Sequence, residues 1–104
     1  MRMLVQVSIP VETGNDLVRK GTLGTTLQKI LGDLKPEAAY FAEVDGKRTG
    51  LIFLDLKDAS DIPRVAEPFF LALNARIEVH PVMTPQDLAA AEPAIAAAAA
   101  KFGK

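Results

Sequence analysis

The chain of 104 residues has no cysteine and no tryptophan, and it has a single histidine and a single tyrosine. Without cysteine, the sequence excludes disulfides, iron–sulfur clusters, thiolate zinc sites and cysteine nucleophiles. No stretch approaches the roughly 20 apolar residues that a membrane-spanning helix needs. The N-terminal residues reach Gln6 and Ser8 too soon to form the core of a signal peptide. We therefore expect a cytoplasmic protein with no membrane partner.

No region concentrates charge of one sign. Twelve Lys and Arg residues stand against thirteen Asp and Glu residues, which gives a net charge of −1. The adjacent basic pair Lys47-Arg48 is better explained as the tip of a hairpin. Because nucleic-acid binding normally needs a concentrated basic face, we expect no nucleic-acid partner. The length and the hydrophobic fraction of 49% predict a single domain that spans residues 1–104.

The sequence predicts four β-strands, of which the first and the fourth show alternating apolar and polar residues. These span residues 2–9, 38–44, 49–56 and 75–83. An Asp45-Gly46 turn signal joins the second and third strands into a hairpin. The third strand carries Leu51 to Leu54, which are apolar on both faces of the strand. A strand of this kind is typically central and covered on both sides.

Two helices are predicted between the strands, at residues 13–34 and 58–74. A capping box at Thr13–Asp16 is predicted to begin the first helix. Gly21 and Gly24 each weaken that helix by about 1 kcal/mol relative to alanine, so we expect firm helix only from about Thr25. Pro68 lies inside the second helix and is expected to kink or divide it.

A third helix, at residues 85–102, begins at the clearest local signal in the chain. Thr84-Pro85-Gln86-Asp87 places a cap, a proline at the first helical position and an acid at the third. The helix is almost entirely alanine and is interrupted by Pro93. Alanine favours helix but buries little surface, so Ile95 and Phe102 are the expected anchors.

The order β-α-β-β-α-β-α predicts an α+β protein with a ferredoxin-like βαββαβ fold. The expected antiparallel sheet has strand order 4-1-3-2, and residues 85–102 form a C-terminal appendage. Helices can cover only one face of such a sheet. The doubly apolar third strand therefore predicts a homodimer formed through the uncovered face.

Three strings of residues carry a resemblance to a known family. They are Lys35-Pro36-Glu37-Ala38-Ala39-Tyr40-Phe41, residues 61–70, and His80-Pro81-Val82-Met83-Thr84-Pro85. They resemble a small family of uncharacterised bacterial proteins. The fold is similar to that of the dimeric α/β barrel superfamily, in which two ferredoxin-like sheets pack face to face. That superfamily includes cofactor-free monooxygenases, lactone isomerases, dye- and haem-handling enzymes and ligand sensors. The fold alone does not indicate which of these functions a protein has.

The uncovered face is where we expect any chemistry. Strands one and four are neighbours in this topology, so side chains from both can cluster. Both hairpin faces are apolar, and we place Tyr40 and Asp55 on the uncovered side because the polar ends then gather together. The expected cleft combines the apolar walls Leu4, Tyr40, Leu51 and Phe53 with the polar groups Gln6, Ser8, Asp55, Glu78 and His80. Such a mixed composition is typical of a small-molecule pocket.

His80, Tyr40 and Asp55 are the candidate catalytic residues. His80, oriented by Glu78 or Asp55, would be a general base suited to enolisation or isomerisation of a small carbonyl compound. Tyr40 would donate a hydrogen bond to a carbonyl or phenolate. The alternative is a half-exposed histidine at a strand end and a tyrosine that only packs. His80 and Glu78 supply two metal ligands at most, so we expect neither a metal nor another cofactor.

Three functional hypotheses follow. The first is an enzyme of the cofactor-free isomerase or monooxygenase type, acting on a small apolar carbonyl or aromatic metabolite. The second is a non-catalytic ligand-binding or regulatory module, and the third is a purely structural dimerisation domain. A cavity lined by His80 would favour the first hypothesis. A contact between sheets that leaves no cavity would favour the third.

Overall fold

The computed structural model of the chain describes residues 1–104 and contains four strands and five α-helices. In chain order they are β1 (Arg2–Ser8), α1 (Val11–Arg19), α2 (Leu23–Leu34), β2 (Ala38–Val44), β3 (Lys47–Asp55), α3 (Ile62–Leu73), β4 (Arg76–Pro81), α4 (Pro85–Ala90) and α5 (Glu92–Phe102). A short 3₁₀ turn, Ala59–Asp61, leads into α3. The bounds of β2 are those that the sequence predicts, and the other strands differ by one or two residues at their ends.

The four strands form one open antiparallel sheet in the order β2-β3-β1-β4, which reads 4-1-3-2 from the opposite edge. The fold is α+β and is consistent with a ferredoxin-like arrangement. Asp45 and Gly46 form the predicted turn, with φ angles of 54° and 75°. This left-handed pair matches the twist of the hairpin and brings Val44 opposite Lys47. As a result, β3 begins at Lys47 and not at residue 49, where the sequence analysis predicts its start.

The core lies between the sheet and the helices on one side of it. Val5 and Val7 of β1 and Ile52 of β3 point toward this side and are almost fully buried. Phe69 and Leu73 of α3 pack onto them and have no solvent-exposed surface. Full burial of a side chain of this size stabilises a protein by about 1.5–3 kcal/mol relative to exposure. The sequence predicts this face correctly from the alternation in β1.

The region between β1 and β2 contains two helices instead of one. α1 begins directly after Pro10, with no side-chain cap, so the predicted capping box at Thr13 is wrong. Proline has no backbone N–H, and none is needed at this position because the first N–H groups of a helix have no partner within it. The Pro10 carbonyl accepts the Gly14 N–H at 2.9 Å. The chain breaks at Gly21, whose φ of 71° is left-handed. The predicted weakness is therefore a real break, and α2 is already helical at Leu23.

Pro68 lies inside α3 but does not divide it, since the helix is continuous from Ile62 to Leu73. Proline removes one hydrogen bond to the preceding turn. The next residue, Phe69, is completely buried in the core, and its packing offsets that loss. Pro93 has the effect that the sequence predicts, because it lies in the first turn of α5 and separates that helix from α4.

Residues 82–104, here called the C-terminal arm, extend away from the sheet. α4 and α5 contact each other and have no extensive contact with any other element. The radius of gyration is 17.4 Å, against about 13 Å for a compact chain of this length. The predicted capping box is confirmed at the start of the arm. Thr84 Oγ1 accepts the Asp87 N–H at 3.1 Å, and the Asp87 carboxylate accepts the Thr84 N–H at 2.9 Å.

Substitution of Phe69 by alanine tests the core. We expect Phe69→Ala to lower the free energy of unfolding by about 3–5 kcal/mol, because it leaves a cavity under α3. Phe70→Ala is the matched control, since Phe70 is 43% exposed on the same helix. Urea denaturation measures both variants. Equal losses of stability would contradict the assignment of Phe69 to the core.

The capping box makes the arm sensitive to pH. The hydrogen bond from the Thr84 N–H lowers the pKa of Asp87. The box therefore stabilises α4 above the unfolded pKa of about 4, and this contribution is lost as the pH falls through the lowered folded value. We expect NMR carbon chemical shifts of residues 85–90 to lose helical character in that range. In Asp87→Asn, which has no carboxylate at this position, the same shifts should stay constant over that pH range. If the variant and the wild type showed the same pH profile, the capping role of Asp87 would be contradicted.

Candidate functional site

The sheet face opposite the helices, here called the open face, carries nearly all of the predicted site residues. The pairing of the strands arranges them in rows across the sheet. One row is Tyr40, Leu51, Gln6 and Glu78, the next is Ala38, Phe53, Leu4 and His80, and a third is Ala42, Thr49, Ser8 and Arg76. Tyr40 and Asp55 lie on this side, which is the face we predicted for them. Leu51 and Phe53 are half-buried with no element above them.

Glu78 is the centre of the polar group on β1 and β4. Its Oε2 lies 3.5 Å from His80 Nε2, and its Oε1 lies 3.3 Å from Arg76 Nη2. Gln6 is the residue opposite Glu78 on the neighbouring strand. The sequence predicts the grouping of Gln6, Ser8, Glu78 and His80. It missed Arg76 as a member, although the same alternation along β4 places Arg76 on this face.

Aromatic and aliphatic side chains occupy the β2 and β3 half of the open face. The rings of Tyr40 and Phe53 meet edge to face, with centroids 6.4 Å apart. Tyr40 is 62% exposed. Ala38 and Ala42 flank it on β2 and are too small to cover their neighbours on β3. The result is an apolar surface with one phenol group at its edge.

The two halves are too far apart to act together within one chain. Tyr40 is on one edge strand and His80 is on the other, with β3 and β1 between them. Three strand spacings amount to about 14 Å, which exceeds the reach of a small substrate that must contact both side chains. The expected gathering of polar ends in one place is therefore wrong for Tyr40 and His80 of the same protomer.

Asp55 also stands apart from His80. Its carboxylate accepts a hydrogen bond of 2.6 Å from the amino group of Met1. This bond and the charge of the amino group lower the pKa of Asp55. By register, Asp55 lies opposite Arg2, two strands away from β4. Glu78 is therefore the only one of the two predicted orienting carboxylates that contacts His80.

The open face of one chain is not a pocket. The cavity on this face between Gln6, Lys47 and Arg76 has a volume of about 60 Å³, far below the roughly 300 Å³ of the smallest ligand sites. A larger groove of about 640 Å³ lies on the other side of the molecule, between α2 and α3. Ile30, Leu34 and Pro68 belong to its apolar lining. Sequence patterns missed this groove because it depends on how two helices distant in the chain pack together.

No group of three His, Asp or Glu side chains lies close enough together to hold a metal ion. None of the helices is both long and apolar enough to cross a membrane. Comparison with protein-family models and with curated proteins finds no match to this chain. The geometry of the open face is therefore the basis for assigning a function.

Proposed function

We propose that the protein is a homodimer whose two open faces pack against each other and enclose a small, largely apolar carbonyl or aromatic ligand without a metal. The observation that carries this proposal is that Leu51 and Phe53, two apolar side chains on the outer side of β3, are only half-buried and are covered by no element of the chain. Sheets that pack face to face bury such rows, with about 10 Å between them.

The amount of exposed surface supports association. The chain exposes 7107 Å², which is about 1,400 Å² more than a compact monomer of its 11.1 kDa mass. A stable interface buries about 800 Å² from each partner, and obligate dimers bury more. The net charge of −1 offers little repulsion between two copies.

Symmetry brings the two halves of the site together. We place the two-fold axis parallel to the strands and midway between the two sheets, so that β2 of one protomer lies over β4 of its partner. In that arrangement Tyr40 faces the partner's Glu78, and Ala38 faces the partner's His80. The small Ala38 leaves space between the sheets beside the imidazole. The separation of Tyr40 and His80 within one chain then becomes a short distance across the interface.

The ligand class follows from the groups around that space. Leu51 and Phe53 form apolar walls, Tyr40 donates from its hydroxyl group, and the partner's His80 offers a ring nitrogen. A flat ligand fits an apolar layer about 10 Å thick, and one carbonyl or phenol oxygen satisfies the polar groups. Binding without turnover needs nothing further.

Catalysis is the second candidate function, and the contact between His80 and Glu78 favours it. A carboxylate 3.5 Å from Nε2 can orient the ring. A histidine placed in this way could remove a proton next to a ligand carbonyl and return it to a neighbouring carbon. That is isomerisation without a cofactor. The purely structural dimer remains the outcome if no ligand binds.

A charge on the open face tests the dimer. We expect Phe53→Lys to weaken self-association by at least about tenfold, because it places a cation in an apolar layer. Leu71→Lys is the control, since Leu71 is 82% exposed on the helix side. Sedimentation equilibrium measures both variants, and circular dichroism verifies that they fold. A wild-type chain that is monomeric at high micromolar concentration would overturn the proposal.

Ligand-observed NMR with 4-hydroxyacetophenone tests the site. We expect saturation transfer to this aromatic ketone from the wild-type dimer, and a reduced signal for Tyr40→Phe and His80→Ala. Gln28→Ala, on the exposed surface of α2, is the control variant. An intact dimer that gives no transfer to this probe would contradict the ligand site and favour the structural dimer.

A further inference from the structure

A second cavity, with a volume of about 360 Å³, lies on the helix side of the sheet. It is bounded by α2 on one side and by the β2–β3 hairpin on the other, with the buried Ile9 between them. Leu23, Leu27 and Phe41 form apolar walls. The volume falls within the roughly 300–1,000 Å³ of small-molecule sites.

Arg48 lines this cavity, and it does not form the ion pair that its register favours. On the hairpin it lies directly opposite Glu43, which also lines the cavity. The two form no salt bridge, and the Glu43 carboxylate instead accepts the Gly46 N–H of the turn at 2.8 Å. Arg48 reaches across to α1, where its Nη1 donates to Asn15 Oδ1 at 3.0 Å. Because Asn15 is neutral, the charge of Arg48 has no anionic partner within salt-bridge distance.

Gly14 makes room for the Arg48 side chain on α1. It is the buried residue of that helix and directly precedes Asn15. A Cβ at position 14 would lie 2.7 Å from Arg48 Nη1 and 3.3 Å from its Cδ, against about 3.5–4.0 Å for an unstrained contact between carbon atoms. A glycine inside a helix costs about 1 kcal/mol relative to alanine. α1 therefore has its least favourable helical residue at the point where Arg48 packs.

Phe41 places an aromatic ring in the same cavity. The side chain is 54% exposed. Its ring lies over Gly50, the residue opposite it on β3, where a Cβ would be 3.4 Å from the ring. The cavity therefore combines apolar walls with one guanidinium that Asn15 holds in place. A few placed polar groups among apolar walls are what fix the orientation of a small ligand.

We propose that this cavity binds a small aromatic carboxylate, which pairs with the Arg48 guanidinium while its ring packs on Phe41, Leu23 and Leu27. The planar guanidinium presents parallel N–H donors that match the two oxygens of a carboxylate. Asn15 occupies Nη1, and Nε and Nη2 remain to donate to the ligand. The site lies on the opposite side of the sheet from the open face, so it is separate from the proposed dimer and its ligand.

A titration of the full chain with 3-phenylpropionate, followed by ¹H–¹⁵N NMR, tests the site. We expect saturable shifts at the backbone amides of Phe41 and Arg48 and at the side-chain amide of Asn15. 3-Phenylpropanamide has the same ring but no charge, and it should bind at least about tenfold more weakly because it cannot accept charge-assisted hydrogen bonds. Shifts confined to Glu78 and His80 would place the probe on the open face and overturn the assignment.

Gly14→Ala separates the position of the guanidinium from its charge. The added methyl group must displace Arg48 Nη1, while the charge stays and alanine favours the helix. We expect 3-phenylpropionate to bind this variant at least about fivefold more weakly, and Arg48→Gln at least about tenfold more weakly. Gly32→Ala is the matched control and should bind like the wild type, because a Cβ there meets nothing within 4 Å. Urea denaturation verifies that the variants fold.

Equal affinities of Arg48→Gln and the wild type would overturn the carboxylate site, and so would equal affinities for the acid and the amide. An affinity of Gly14→Ala equal to that of the wild type would contradict the role of Gly14. The absence of shifts at Phe41 and Arg48 at millimolar probe would also overturn the site. A monomeric wild type would overturn the proposed function and leave the carboxylate site standing.

Discussion

Everything else in this molecule depends on the fact that its helices cover one face of the sheet only. Ile52 and Leu54 are buried under the helices, while Leu51 and Phe53, on the same strand, face outward with nothing above them. Apart from the C-terminal arm, the chain has no other element that could cover the open face, and the arm does not fold back over it. Apolar surface left in this way is stabilised by association. The proposed dimer and the proposed ligand site both follow from this constraint.

The face of each strand could be predicted from local patterns. Alternation along β1 and β4 identified the polar group around Glu78, and Asp45-Gly46 identified the hairpin, because both signals act over a few residues. The capping box at Thr84 is equally local. By contrast, α1 begins after Pro10 without a side-chain cap to mark its start, and the continuity of α3 through Pro68 depends on the packing of Phe69 in the core. A single-residue rule about caps or prolines cannot weigh that packing.

The residues of the predicted cleft lie on one face of the sheet, but they do not all lie close together. The predicted strand order already places Tyr40 and His80 on opposite edges, so a grouping by face alone joins side chains that the topology separates. The partner of Asp55 could not be predicted, since it lies more than fifty residues away in the chain. The groove between α2 and α3 could not be predicted either, because it depends on the relative position of two helices. Within one chain the open face therefore carries two separate groups of side chains, an aromatic one on β2 and β3 and a polar one on β1 and β4.

A spin label at Gln6, in the middle of the sheet, tests whether two open faces meet, because it measures the distance between the two sheets. Gln6→Cys introduces the only cysteine of the chain. Face-to-face packing predicts a dipolar distance of about 10–20 Å between the two labels, because packed sheets lie about 10 Å apart. A label at Gln28→Cys, on the outer surface of α2, should give more than about 30 Å across two helix layers and two sheets. The absence of a short distance at Gln6, or a short distance at Gln28, would contradict the account.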